Sequence, residues 1–404
     1  MVIVSSPRGG SSHLAELLRG CPSLLHLPGE TPPLLAMAGL DPLSRTGCEE
    51  LGAADADAFA AALDREFAQE VGTPAEDCDL PELAAWLRRR LAMQWPGEIF
   101  EAGEVEGYVT RAAAAAAPPR RSTEFGELAS FHLEFLAAVR TEHPVVDPYY
   151  YDLDDDLVAA RFPGLPVPRA PHHPTRLIEV APFLIARPWR RADQADLAGR
   201  TLVIKAPGCS YQIPFFQALF RRARVRVVHL TRAPEPSVNG LIAAWLHRGF
   251  FSRTVPEELA IGGYSDVLGE WAAHWWNFDL PPGWTDMTKE PLEAVCAFQW
   301  ASAHRAILDE TARSGVDCLT VRHEDLVGPG PQRHATMHTL GAWLGLPAAE
   351  IEHLTALTVD PVSATAKPDE NRWRRNAHVI EPALRPAPIR EVATALGYHV
   401  NSSC

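Results

Sequence analysis

The chain has 404 residues, 47% of them hydrophobic, enough to bury a substantial core; a single elaborated domain over 1–404 is the preferred reading. Fifty-one acidic against 37 basic residues give a formal charge of -14, which repels polyanions and argues against nucleic-acid binding or a highly sulfated glycan substrate. Seven cysteines, odd in number and never spaced CxxC, argue for reduced thiols and against a zinc site, while no apolar run approaches the roughly 18 to 20 residues that span a bilayer. With no room for a signal peptide before the first strand, a cytoplasmic protein without membrane insertion is expected.

VIVSS (2–6) is short and β-branched without alternation, as a buried parallel strand should be. A Pro-Arg-Gly-Gly-Ser-Ser turn follows, then an amphipathic helix beginning near Ser12. From about 43 to 195 the chain is rich in Ala and acidic residues, with helical segments such as DAFAAALDREFAQEV and ELASFHLEFLAAVRTEH. This stretch reads as a largely helical insertion or cap. Within it RAAAAAAPPRR (111–121) fits either a mobile loop or a short Ala helix stopped by Pro118. DLDDD (152–156) reads as a solvated acidic turn, and FPGLPVPRAPHHPTR (162–176) as an extended connector with no metal role for its HHP. TLVIK (201–205), VRVVHL (225–230) and CLTVR (318–322) are further buried strands, each followed by a helical pattern. Strands alternating with helices predict an α/β class: a three-layer phosphate-loop fold with a central, mostly parallel sheet and crossover connections.

The first turn carries chemistry. A strand running through glycines into a helix offers backbone N–H groups and a positive helix end to an anion. Gly9 and Gly10 permit close approach, Ser11 and Ser12 can donate hydroxyls, and Arg8 can pair with phosphate oxygens; the Gly-Lys-Ser/Thr ending of ATP- and GTP-binding loops is missing. Some 220 residues later VVHLTRAPEPSVNGL puts Arg232 at another strand end, with Ser237 and Asn239 in the following helix. Ligands of open parallel sheets lie beyond the strands' carboxyl ends, so two such grips suit a nucleotide with phosphates at both ends.

These segments resemble the sulfotransferases that use 3′-phosphoadenosine 5′-phosphosulfate (PAPS). SSPRGGSSHLAELL is similar to the family's 5′-phosphosulfate motif, LTRAPEPSVNGL to its 3′-phosphate motif, TLVIKAPGCS to its strand-lysine turn, and LTVRHEDL to its strand-Glu-Asp-Leu segment. The resemblance implies that PAPS is the donor and PAP the product, that Lys205 stabilises the leaving phosphate, and that Arg8, Gly9, Gly10, Ser11, Ser12 and Arg232 hold the nucleotide. The histidine that follows the lysine in many cytosolic members is absent at Ala206-Pro207-Gly208. A branch resembling tyrosyl-protein and bacterial glycolipid sulfotransferases uses a glutamate after the loop helix, and LLHLPGETPPLL nominates Glu30 as general base, with His247 and His13 in reserve. Gly240 stands where the second motif has a hydroxyl, leaving Ser237 or Asn239 for that phosphate. AKPDENRWRRN (366–376) resembles a basic nucleotide lid without its glycine, through Trp373 and one of Arg372, Arg374 and Arg375, with Arg374 the nominee.

Aromatic residues of WLHRGFF (245–251) and WAAHWWNFDLPPGW (271–284) are either core or an acceptor wall, and an exposed face there could form a homodimer contact or dock a carrier. The expected partner is a small, partly apolar hydroxyl acceptor, such as a bacterial secondary metabolite, with no metal. The alternatives are a small-molecule kinase and a non-catalytic nucleotide-binding module.

Overall fold

A computed structural model describes residues 1–404 apart from 78, 121–123, 169–176, 248, 249, 251, 329, 360–368, 370 and 401–404, and apart from the side chain of Trp271. The HHP at 172–174 and the first residues of the 366–376 segment therefore lie outside the described residues. Among those described, the strands are β1 (Val2–Val4), β2 (Leu24–Leu25), β3 (Gly72–Pro74), β4 (Trp189–Arg191), β5 (Thr201–Leu202), β6 (Ile204–Lys205), β7 (Arg226–Thr231), β8 (Ser252–Thr254), β9 (Trp275–Asn277) and β10 (Asp317–Arg322).

The central sheet runs β10-β7-β1-β6, all parallel, with Val2 opposite both Ile204 and Val227 and Thr320 opposite His229. β1 carries no polar residue and is buried throughout, because helices cover both faces of such a sheet. TLVIK, read as one strand, is divided at Val203. Its first half pairs in parallel with β2, Val203 N donates to Leu25 O at 2.7 Å, and Ile204 N then donates to Met1 O at 2.9 Å. The strand thus changes neighbours midway, which brings the chain after β2 alongside Lys205. The helices Ser11–Leu18, Ile213–Leu219, Pro234–Trp245 and Pro331–Leu344 follow β1, β6, β7 and β10 in turn, so the architecture is α/β.

The helical stretch 43–195 contains two kinds of packing. Helix Ala53–Glu70 lies on Ile213–Leu219 and sends Leu63 and Phe67 into the core that holds Val4, Ile204 and Phe216. The chain then leaves through β3 and returns through β4, which pair antiparallel with Gly72 opposite Arg191, so residues 75–188 make one excursion from this ribbon. Helices Leu80–Gln94, Ala102–Ala115 and Phe125–Arg140 enclose a separate core of Leu87, Leu91, Tyr108, Phe131, Phe135 and Phe183. RAAAAAAPPRR supplies the end of a helix, which stops at Ala115 before Pro118, and Asp154 of DLDDD caps helix Asp155–Arg161 by accepting from Asp156 N at 2.8 Å. The two cores meet through ions: Glu70, buried at the end of its helix, pairs with Arg90 and, at 2.6 Å, with Arg89 Nε.

Most of the described tryptophans near the second motif form core. Trp245, Trp276 and Trp284 are 1%, 0% and 3% exposed, and Trp276 meets Trp245 edge-on at 5.2 Å, so they cannot line an acceptor pocket. Half-buried Phe250 differs, lying against Arg8. Behind the turn that follows Lys205, Tyr211 donates to Asp279 Oδ2 at 2.7 Å and Gln299 Nε2 donates to its other oxygen at 2.9 Å. Burial pushes the Asp279 carboxyl up to about 8 against these two donors.

The folded chain therefore holds a proton on Asp279 that the unfolded chain releases near the ordinary carboxylate range. The contribution of this group to stability is fully present at low pH and is lost as pH rises from about 4 to 8, by at most about 1.4 kcal/mol per pH unit. Asp279→Asn, which holds no titrating proton, should flatten the decline in urea midpoint between pH 5 and 8; an unchanged slope would exclude Asp279 as its source.

Candidate active site

β1 ends at Val4, and the chain then closes a turn in which Gly9 N donates to Ser6 O at 3.0 Å. Arg8 adopts φ 61°, a left-handed conformation that costs a non-glycine residue about 1 to 2 kcal/mol. Strain at a ligand-facing loop is characteristic of a backbone shaped for binding. Gly10, at φ 96°, is required twice over: the conformation favours glycine, and a Cβ there would lie 2.1 Å from His323 Cδ2. Ser11 and Ser12 open helix Ser11–Leu18. No side chain caps this helix and no acidic residue sits in its first turn, so its positive end faces the loop.

Arg232 follows the last residue of β7 and donates from Nη1 to Arg8 O at 3.0 Å, while Trp300 Nε1 donates to Arg232 O at 3.2 Å. The two predicted phosphate grips therefore touch. Position 240 faces the loop as well, since a Cβ added to Gly240 would meet Arg8 Cβ at 3.6 Å. Arg8's own stem lies where the helix approaches the turn.

The cations are concentrated. Burial, then the neighbouring charges of Arg232 and Arg372, push the Arg8 guanidinium down to about 10, and burial lowers Arg232 despite the nearby Glu324. Arg372 begins the short turn Arg372–Asn376, held to the second motif by Asn376 Nδ2 donating to Asn239 Oδ1 at 2.8 Å. Asn239 is thus engaged in docking this turn. Trp373 packs half-buried on the aromatic core, whereas Arg374 is exposed, stacks over Trp373 at 5.0 Å and donates to Asn371 Oδ1 at 2.9 Å. Among the arginines of this turn, Arg372 is half-buried whereas Arg374 and Arg375 are exposed, and the charge of Arg372 contributes to lowering Arg8. The hydroxyls of Ser6 and Ser237 are both buried without a hydrogen-bond partner. A buried polar atom in that state costs about 1 to 3 kcal/mol unless a ligand or water engages it.

Lys205 lies opposite Ile3 on the same sheet edge. Its Nζ donates to Glu30 Oε1, closing a contact between residues 175 positions apart. The two side chains remain 17% and 31% exposed, so both can be reached from solvent. The turn after Lys205 is tied to the phosphate loop by Ser210 Oγ, which donates to Ser5 O at 2.8 Å. Of the reserve histidines, His13 is half-buried on the loop helix, where burial and then Arg333 lower it, and His247 is exposed with its ring 5.5 Å from Phe250.

Several contributors were not singled out by sequence reasoning. Ser6 was quoted within the loop without a role. His323 packs on Gly10, and burial followed by Arg232 and His13 pushes it down to about 3, so its ring is neutral at pH 7. Glu324 accepts from Ala233 N at 2.8 Å and from Tyr398 OH at 3.1 Å, holding the entry to helix Pro234–Trp245. The signal is present in LTVRHEDL, where charged residues directly follow the strand β10. Among the described residues no cluster of three or more His, Cys, Asp or Glu side chains could hold a metal ion, and no helix is long and apolar enough to cross a membrane.

No protein-family model matches the chain, and no curated protein matches it. Among solved structures it is similar to a sulfotransferase domain from the curacin biosynthetic pathway, at 13% identity and a TM-score of 0.38 over 99% of this chain and 98% of that one.

Proposed function

We propose that the protein transfers a sulfuryl group from PAPS to the hydroxyl of a small, partly apolar acceptor. The observation that carries this reading is the contact between Lys205 and Glu30 on the sheet edge that also bears the Arg8 loop. A cation and a carboxylate drawn from separate elements meet where a phosphate-binding loop ends, which is the pairing that transfer to a hydroxyl requires. The buried, unpartnered hydroxyls of Ser6 and Ser237 and the approach of Arg232 to the Arg8 turn suit an anionic nucleotide.

In this reading Arg8, the loop amides and the helix end hold the 5′-phosphosulfate, and Arg232 with Ser237 takes the 3′-phosphate. Glu30 accepts the proton of the acceptor hydroxyl as its oxygen forms a bond to sulfur. The bond between sulfur and the bridging phosphate oxygen breaks, that oxygen keeps the electron pair, and Lys205 neutralises its charge. PAP leaves with the phosphate, and the acceptor leaves as a sulfate ester.

Thermal shift with PAP, PAPS and ATP-magnesium provides the first test, because a ligand that binds the native state stabilises it by mass action. Stabilisation by PAP and PAPS over ATP is expected; preference for ATP-magnesium would favour a kinase instead. Arg232→Ala should weaken PAP binding by more than about tenfold, measured calorimetrically, since a partner removed from a buried charged interaction costs about 2 to 5 kcal/mol.

Glu30→Gln should lower kcat by about 10² to 10⁴ with PAP affinity nearly unchanged, the range expected for a positioned base. Near-normal turnover in that variant would remove Glu30 from the role. Product mass spectrometry against an acceptor library identifies the hydroxyl, and PAP binding with no turnover of any acceptor would point to a non-catalytic module.

A further inference from the structure

We infer that Arg19 is a positioning residue that holds the turn carrying Glu30; the catalytic consequence rests on the proposed role of Glu30, whereas the clamp itself does not. Arg19 terminates the phosphate-loop helix and is half-buried, with 22% of its side chain exposed. Its Nη2 donates to Leu27 O at 2.9 Å and Pro28 O at 3.2 Å, the carbonyls two and three residues before Glu30. Its Nε lies 3.3 Å from Glu16 Oε2 on the same helix, and its guanidinium sits 5.5 Å from the ring of Trp189 in β4.

One planar fork therefore joins the donor-loop helix, the Glu30 turn and the strand by which the 75–188 excursion returns. The opposite side of the turn is also bounded, since a Cβ on Gly29 would lie 2.9 Å from Leu184 Cδ1 of that excursion. Two backbone carbonyls held by one guanidinium fix the direction in which the next residues leave. That direction decides whether the Glu30 carboxylate meets Lys205. Lysine can supply the charge but not the fork, so Arg19→Lys should be intermediate.

The test uses the full-length chain, wild type, Arg19→Met and Arg19→Lys, with hydrogen exchange, PAP binding and turnover measured on each. Arg19→Met should raise exchange of the His26 amide, which donates to Gly72 O at the start of the 26–31 turn, at least about tenfold, while the bonded amides of 201–206 stay protected, because only the local opening is made easier. PAP affinity and the acceptor KM should stay within about threefold, and kcat should fall by about 10²-fold, the cost of a misplaced reacting group. Arg19→Lys should recover part of both the protection and kcat, and it carries the test if Arg19→Met does not fold. Exchange of the His26 amide equal to wild type would overturn the inference, as would loosening of 201–206 to the same degree. If the wild-type chain transfers no sulfuryl group from PAPS, the function reading fails, and the exchange comparison still decides the clamp.

Discussion

The gathering of Arg232 against the turn of Arg8, whose guanidinium is lowered by burial and then by the charges of Arg232 and Arg372, is the contact around which the candidate site is arranged. Partly desolvated like charges raise the free energy of the folded chain, and a structure keeps them together only if other contacts hold each in place. Here the holding is done by neutral groups. Arg232 donates to the backbone oxygen of Arg8, Trp300 fixes the carbonyl of Arg232, Phe250 lies against the Arg8 guanidinium, and Asn376 bonds to Asn239. Glu324 stands near enough to Arg232 to favour its charge, but its own oxygens go to Ala233 N and Tyr398 OH. Arg8, Arg232 and Arg372 are thus gathered at one place on a chain whose overall charge is -14.

Glu30 and Lys205 stand apart from that cluster in chemistry but share its scaffold. Lys205 belongs to a strand that pairs with β1 only after leaving β2, and the chain beyond β2 leads directly to Glu30. The exchange of strand neighbours at Val203 is thus what places acid and base side by side. The excursion 75–188 bounds the Glu30 turn through Leu184 while keeping its own hydrophobic core.

Much of the sheet was legible. VIVSS and VRVVHL run through the interior of the sheet and are buried over most of their length, which a parallel strand displays without its neighbours. CLTVR, read as equally buried, is the terminal strand of the sheet: Val321 is buried while Thr320 and Arg322 are exposed, because β10 has a neighbour on one side alone among the described strands. β2, β3, β4, β8 and β9 were not read, because each is two or three residues long and is defined by its partner across the ladder. The tryptophans following Trp245 were open to two readings, since composition cannot distinguish an aromatic wall from an aromatic core. Burial of Trp276 and Trp284 against Trp245 and each other chose the second for these three.

The sequence by itself determined the α/β alternation, the phosphate-type loop around Gly9 and Gly10, and the strand-end placement of Arg8, Lys205 and Arg232, because local periodicity and turn chemistry are properties of adjacent residues. Only the tertiary structure decided that Glu30 meets Lys205, that Arg372 is half-buried while Arg374 is exposed, that Asn239 docks the C-terminal turn, and that Arg19 reaches the carbonyls before Glu30. Each is a contact between segments with no shared local pattern, and which side chain of a cluster turns inward depends on packing that only the assembled chain supplies.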